Sequence, residues 1–225
     1  MLLVYVVVAL LFSIIFLAYK VSRKFPAVGS KLLFIQTLLV LFWFLMDTFV
    51  LFGYKPDLIL QMHSLKFLSI VATPVVFLFM TIAYTNNDFL LKKINKLVFF
   101  IIPAITLIMI ATNNQFGLFW SNTEVIKVGS NFGVIPHKAI MFWVHATYSY
   151  SLIFFSLVLL FNKFIKSPPI YRKQSGFLLF GCSIAWLLNI LFVWSFHENY
   201  LYDPTPLSSL MILYVFYWGL YTYGS

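Results

Sequence analysis

The chain has 225 residues, of which 62% are hydrophobic and only 9% are charged. A soluble domain is roughly half apolar and a quarter charged, so this composition excludes a soluble globular protein and indicates a polytopic membrane protein. The net charge of +9 does not indicate nucleic-acid binding, because the basic residues are distributed as a membrane topology requires. The single cysteine, Cys182, excludes an internal disulfide and a cysteine-based metal site.

Seven apolar runs approach the length of about 20 residues that a helix needs to cross the hydrocarbon core. The third run begins with polar residues. The fourth is short and contains Pro103, which a membrane helix tolerates when its neighbours satisfy the freed carbonyl. We therefore predict an all-α membrane protein, a seven-transmembrane bundle that forms a single domain over residues 1–225. The predicted spans are about 1–19, 32–53, 59–84, 97–112, 139–161, 175–196 and 206–223.

The basic residues indicate how the spans are oriented. Most of the 15 basic residues lie in the connections after spans 1, 3 and 5, and most acidic residues lie on the other side. The positive-inside rule then places the N-terminus outside and the C-terminus inside. Residues 1–19 are followed by a basic cluster and lack one before them, which predicts an uncleaved anchor. The basic residues on the inner side are Lys20, Arg23, Lys24, Lys31, Lys92, Lys93, Lys96, Lys163, Lys166, Arg172 and Lys173.

The one long connection, residues 113–138, lies on the outer side between spans 4 and 5. Within it, "TEVIKVG" alternates loosely between polar and apolar residues, and "SNFG" is a turn signal followed by "VIP". This pattern predicts a small extracellular β-hairpin over the mouth of the bundle. An irregular loop whose aromatic residues rest in the membrane interface also fits the composition.

Two charged residues, Asp47 and Lys66, fall inside spans 2 and 3, where ionisable groups are costly and mark candidate functional sites. The connection "YKPD" is short, so these spans are antiparallel neighbours. At 1.5 Å per residue, both charges lie roughly 10–12 Å below the outer surface. They can pair directly. Alternatively, Lys66 extends to the interface and Asp47 faces a hydrated crevice.

Further polar residues lie in the outer half of spans 2, 3, 5, 6 and 7. His63 shares a helical face with Lys66, and all four histidines fall on or near the outer side. This convergence predicts an outward-facing ligand pocket, and the alternative is a set of structural hydrogen bonds between helices. The predicted ligand-binding residues are Asp47, His63, Lys66, His145, Tyr148, Trp186, Asn189 and Asp203.

Catalytic motifs are missing from the sequence. There is no GxSxG, HExxH, nucleotide-binding loop or paired-carboxylate motif, so we expect this chain to be no enzyme and to need no cofactor. Metal binding by residues such as His63, His145 and Asp47 would lack HxxxH or HxxE spacing, so we expect no metal. A retinal protein needs a lysine in its last span, and residues 206–223 contain none.

The turn "YDPTPLSSLM" starts the last span. Thr205 can cap this helix, Pro206 suits its first position, and Asp203 adds negative charge at its positive end. Four further features accompany this "DPTPL" turn: "LFWSN" after span 4, "FWVHATYSYSL" opening span 5, "RKQ" before span 6 and Asn189 within it. With these features together, the chain resembles the seven-helix N-terminal sensor region of bacterial histidine kinases. In that family an Asp-x-Thr-Pro turn precedes the last helix, and here a second proline follows Asp203.

The resemblance implies a receptor in the bacterial plasma membrane that works as a homodimer. It would bind an extracellular or membrane-derived small ligand and pass the signal through span 7 to a cytoplasmic output domain that these 225 residues do not contain. In this family that output is a PAS, kinase or other domain, and we expect a histidine kinase. Two other classes stay open. A small transporter or its substrate-binding subunit predicts paired Gly/Pro breaks in two halves. A structural subunit predicts GxxxG-like faces, which "GFLLFG" only approaches.

Overall fold

The computed structural model describes residues 2–25, 29–53, 55–92, 95–129, 131–196 and 205–221. Within these ranges the chain is mostly helical, with a two-stranded antiparallel sheet. The helices are α1 (Leu2–Ser22), α2 (Ser30–Phe52), α3 (Pro56–Leu65), α4 (Phe67–Tyr84), α5 (Phe89–Lys92), α6 (Ile101–Ala111), α7 (Asn113–Phe116), α8 (Ile140–Lys166), α9 (Pro169–Leu191) and α10 (Thr205–Tyr221). A 3₁₀-helix, Lys96–Phe100, leads into α6, and a π-helix, Phe192–Phe196, continues α9.

In the described part of the chain, five helical segments are long and apolar enough to cross a membrane. They are α1, α2, α3 with α4, α8, and α9 with the start of its π-helix, and a shorter apolar segment covers Lys96–Ala111. Several helices extend past the apolar runs of the sequence. Helix α8 continues to Lys166, and α9 begins at Pro169, ahead of the run that starts at residue 175. Helix ends that carry basic residues can extend past the apolar run. The charged group reaches the polar interface while the aliphatic part of the side chain stays in apolar surroundings.

Five helices form a closed ring, in which α2 contacts α4, α4 contacts α8, α8 contacts α9, α9 contacts α10 and α10 contacts α2. Two helices flank this ring: α1 lies against α2 and α10, and α6 lies against α4 and α8. The largest buried apolar cluster joins the ring and includes Leu33, Phe44, Leu178 and Phe216.

The connection between α2 and α3 is tight, as the sequence "YKPD" predicts. A Cβ atom at Gly53 would lie 2.7 Å from Ile59 Cγ1 and 2.8 Å from the Phe49 carbonyl oxygen, so only glycine fits there. Pro56 then starts α3 at a position where its missing N–H costs nothing. The close return of α3 beside α2 brings the buried polar residues of both helices together.

The strands β1 (Trp120–Val128) and β2 (Asn131–Lys138) lie in the region where the sequence predicts a hairpin. They pair antiparallel, with Val125 opposite Val134. Both strands contact α3, and β2 also contacts α2. We call the end of the bundle that carries this sheet the hairpin end, and the opposite end, where the basic connections lie, the basic end.

Candidate functional site

A cavity of about 180 Å³ lies inside the ring of five helices, towards the hairpin end. Residues of α2, α3, α4, α8, α9 and α10 line it, and Trp120 and Pro136 of the two strands contribute to its wall. Most of the wall is aromatic or aliphatic. The predicted site residues that line this outer cavity are His63, Lys66, His145, Trp186 and Asn189.

Lys66 and Asp47 form a direct ion pair at the edge of the outer cavity. Lys66 Nζ donates to Asp47 Oδ1 at 2.8 Å, and both side chains are at most 7% exposed. Of the two interpretations that the sequence allows, the structure has the direct pair. Lys66 itself lines the cavity, and Asp47 is not among the lining residues. A buried charge needs such a partner, because isolated ions are costly to remove from water.

The Trp120 indole lies against the His63 ring, with ring centroids 5.2 Å apart. Asn113 holds the backbone that carries this indole. Its Oδ1 accepts from the N–H groups of Phe119 and Trp120 at 3.0 and 2.9 Å, and its Nδ2 donates to the Trp120 carbonyl at 2.9 Å. Phe119 and Trp120 also pack edge to face against Phe67. These contacts fix one wall of the cavity at the hairpin end.

Five buried polar atoms of cavity-lining residues have no hydrogen-bond partner among the described residues. Three are indole N–H donors, one is a hydroxyl and one is an amide oxygen. Buried polar groups are normally paired, and each unmet group costs about 1–3 kcal/mol, so this clustering is unusual. The atoms are Nε1 of Trp43, Trp120 and Trp186, Oγ1 of Thr73 and Oε1 of Gln36.

His145 is held by two neighbours. The Thr106 hydroxyl donates to the Ile102 carbonyl, so it can accept from His145 Nδ1–H at 3.3 Å. His145 Nε2 then accepts from the Ser149 hydroxyl at 3.2 Å. Because both ring nitrogens are engaged, His145 links α6 to α8 and presents its ring to the cavity.

The two tyrosines of α8 face different ways. Tyr148, which the sequence analysis placed in the pocket, donates its hydroxyl to the Phe99 carbonyl at 2.5 Å and is not among the cavity-lining residues. Tyr150 lines the cavity instead and donates to Asn189 Oδ1 at 3.0 Å. Tyr148 lies one turn beyond His145 in sequence, but the cavity-facing residues of α8 follow the period His145, Ser149, Ile153.

Asn189 connects three helices across the cavity. Its Oδ1 accepts from Tyr150 on α8, and its Nδ2 donates to the Thr205 hydroxyl at 3.2 Å. Thr205 is the first described residue of α10. The first turn of the last helix is therefore bonded to the cavity wall through one side chain.

Asp203, like His197 and Glu198, lies outside the described residues. Gln36, Thr73 and Ser149 were not among the predicted site residues, although helical spacing could have shown them. Gln36 lies eleven residues before Asp47, Thr73 seven after Lys66 and Ser149 four after His145. Within the described residues, no group of three His, Cys, Asp or Glu side chains could hold a metal ion.

A comparison with models of protein families gives a match. The model of the family described as the N-terminal 7TM region of histidine kinase matches residues 2–225. A search of curated proteins found no match. The match spans almost the whole chain and confirms the resemblance that the order of the sequence motifs indicated. The chain is therefore a multi-pass membrane protein, and it belongs to the family of N-terminal seven-transmembrane sensor regions of histidine kinases.

Proposed function

We propose that this protein is a receptor module that binds a small, largely apolar molecule carrying hydrogen-bond acceptor oxygens in the outer cavity. The single observation that carries this proposal is the group of buried, unpartnered polar atoms on the cavity wall, most of which are indole donors. Ligand sites combine apolar walls with a few convergent polar groups, and this cavity has that composition.

The chemistry of the wall narrows the ligand class. The positive charge of Lys66 is matched by Asp47 at 2.8 Å, so the charged pair is close to neutral as a unit. The nearby donors Trp43 Nε1, Trp120 Nε1 and Trp186 Nε1 then favour carbonyl, hydroxyl or ether oxygens over a multiply charged anion. Such a ligand can reach the cavity from outside the cell or from the membrane.

The topology we propose has seven spans, with the N-terminus outside, the C-terminus inside and the sheet as an extracellular hairpin. Basic connections at one end support this orientation. Lys24, between α1 and α2, lies over the ring of Tyr221 at the end of α10, which puts the end of α10 beside a basic connection. The family match supports a single sensor domain in a bacterial plasma membrane, followed by a cytoplasmic kinase.

The signal would pass through α10. A ligand shifts a conformational equilibrium only by its differential affinity for the two states. Asn189 bonds Tyr150 on the cavity wall to Thr205 on α10, so rearrangement of the wall changes the constraint on that helix. In the homodimer expected of this family, displacement of two α10 helices would alter the kinase domains that follow them.

The test uses the six tryptophans of the chain as reporters. Indole ¹H–¹⁵N signals are recorded from the protein in nanodiscs and assigned with Trp→Phe variants. Acetophenone carries an acceptor oxygen, and isopropylbenzene has nearly the same size without one. We expect acetophenone to move the signals of Trp43, Trp120 and Trp186 saturably and isopropylbenzene to move them far less. Equal effects of both probes, or no selective shift, would contradict the proposal.

A further inference from the structure

A second pocket, of about 540 Å³, lies at the basic end of the bundle. It opens between the end of α4, the end of α8 and the start of α9, and it shares no lining residue with the outer cavity. Its polar wall includes Tyr84, Asn87, Asn162, Lys163, Lys166 and Ser175. The ligand-binding function proposed for the outer cavity does not involve this basic-end pocket.

Among the described residues, the charged side chains that line the basic-end pocket are all positively charged. Lys163 and Lys166 lie in the last turn of α8, and no acidic side chain is among the residues that line the pocket in the described part of the chain. The salt bridges found among the described residues do not involve either lysine. Asp88 follows Asn87 but is exposed and does not line the pocket. The pocket therefore offers two ammonium groups with hydroxyl and amide donors around them.

The surroundings match the headgroup layer of a membrane. Around these lysines, α8 exposes Val158, Phe161 and Ile165, which provide an apolar surface for acyl chains. Basic pockets between helices at the cytoplasmic side suit anionic lipid headgroups, because that leaflet is negatively charged. Lysine ammonium groups bind phosphate oxygens as point charges, and hydroxyl and amide donors complete the contact.

The basic-end pocket also adjoins the last helix. Gln174, which lines the pocket, is buried and donates from Nε2 to the Gly219 carbonyl of α10. Next to it, the Ser175 hydroxyl lies 3.2 Å from the Ser167 hydroxyl in the connection between α8 and α9. An anion in the pocket would therefore sit one side chain away from the inner part of α10.

From these observations we propose that the basic-end pocket binds a phosphate ester, and that its source is the headgroup of an anionic phospholipid. Bound phosphate would set the position of the α8–α9 connection and, through Gln174, the inner half of α10. The membrane composition would thus adjust the sensor independently of the ligand in the outer cavity.

The experiment measures binding of phosphatidylglycerol to the protein in phosphatidylcholine nanodiscs, with retained lipid counted by native mass spectrometry. The variant K163Q/K166Q removes both pocket lysines. The matched control K20Q/K31Q removes two exposed basic residues at the same end of the bundle that do not line the pocket. We expect the pocket variant to weaken retention about 100-fold, because it loses two charge-assisted hydrogen bonds to the phosphate. The control should change retention far less, because its lysines lie outside the pocket.

A second arm separates the two sources of phosphate. Glycerol 3-phosphate is titrated into nanodiscs of phosphatidylcholine alone and followed by ³¹P NMR. If only the soluble ester binds in a way that depends on Lys163 and Lys166, the pocket recognises phosphate but its source is a soluble ester. That outcome would overturn the lipid headgroup as the source. Binding in neither arm, or equal losses in both double variants, would overturn the proposal. Unchanged indole signals of Trp43 and Trp120 verify that each variant is folded.

Discussion

Lys66 Nζ and Asp47 Oδ1 lie 2.8 Å apart, in a pair that joins the break between α3 and α4 to α2 inside the membrane-spanning part of the bundle. The pair lies next to the outer cavity, because Lys66 contributes to its wall. A buried ion pair rarely stabilises a protein more than apolar residues in the same place would. Because the Lys66–Asp47 pair also lies beside the cavity, we expect it to act in ligand response more than in stability.

We expect Lys66→Ala and Asp47→Asn each to alter autophosphorylation of the histidine kinase in the full-length protein, while the variant protein still inserts in the membrane. Each change removes one partner of a buried pair, at a cost of about 3–5 kcal/mol in comparable sites. The double variant Lys66→Met with Asp47→Leu should recover stability, because no buried charge is left. Phosphorylation and unfolding midpoints are compared with Lys31→Ala, an exposed residue on α2. Output like that of the unaltered protein from both single variants would refute this role.

Asn113→Ala should loosen the wall at the hairpin end, since its side chain makes three hydrogen bonds to Phe119 and Trp120. We expect a loss of about 2 kcal/mol in unfolding free energy and a shifted or broadened Trp120 indole signal. Asn114→Ala is the matched control, because Asn114 is the exposed neighbour in the same turn. If both alanine variants gave the same Trp120 signal, Asn113 would not hold this wall.

The contact between α9 and α10 should be intolerant of added volume. A Cβ atom at Gly219 would lie 2.9 Å from Leu178 Cδ2, and one at Gly181 would lie 2.8 Å from Val215 Cγ2. Both neighbours are buried, so Gly219→Ala and Gly181→Ala should each destabilise the bundle by about 1–3 kcal/mol.

Gly176→Ala on α9 is the control for these variants, because its Cβ would meet the ring edge of the less buried Phe164 at 3.0 Å. We expect a smaller loss for it in thermal unfolding in nanodiscs. A ranking in which Gly176→Ala is the most damaging of the three would show that the α9–α10 contact is not the tight one.

Much of the fold follows from the sequence, because apolar length, charge bias and turn residues are local signals. They indicated the helices, the sheet region and the tight α2–α3 turn. The direction in which individual side chains point was harder to predict. Tyr148 and Tyr150 are two residues apart on α8, and only their contacts with the 3₁₀-helix before α6 and with α9 decide which of them reaches the cavity.

The basic-end pocket could not be predicted at all, since it depends on how the ends of α4, α8 and α9 meet. In the sequence, Lys163 and Lys166 are only two of the many basic residues on the inner side. Likewise, the sequence does not show that the indole N–H groups lack hydrogen-bond partners among the described residues, because this depends on which side chains of neighbouring helices lie beside them.

Transmission from the cavity to α10 is tested most directly by the indole signal of Trp218, whose ring packs edge to face on Phe177 of α9, with centroids 5.6 Å apart. Acetophenone should shift this signal in the unaltered protein, although Trp218 does not line the cavity. In Asn189→Leu, the shifts of Trp43 and Trp120 should persist and that of Trp218 should be lost. An unmoved Trp218 signal in the unaltered protein at saturating acetophenone, or an equal shift in Asn189→Leu, would contradict the account.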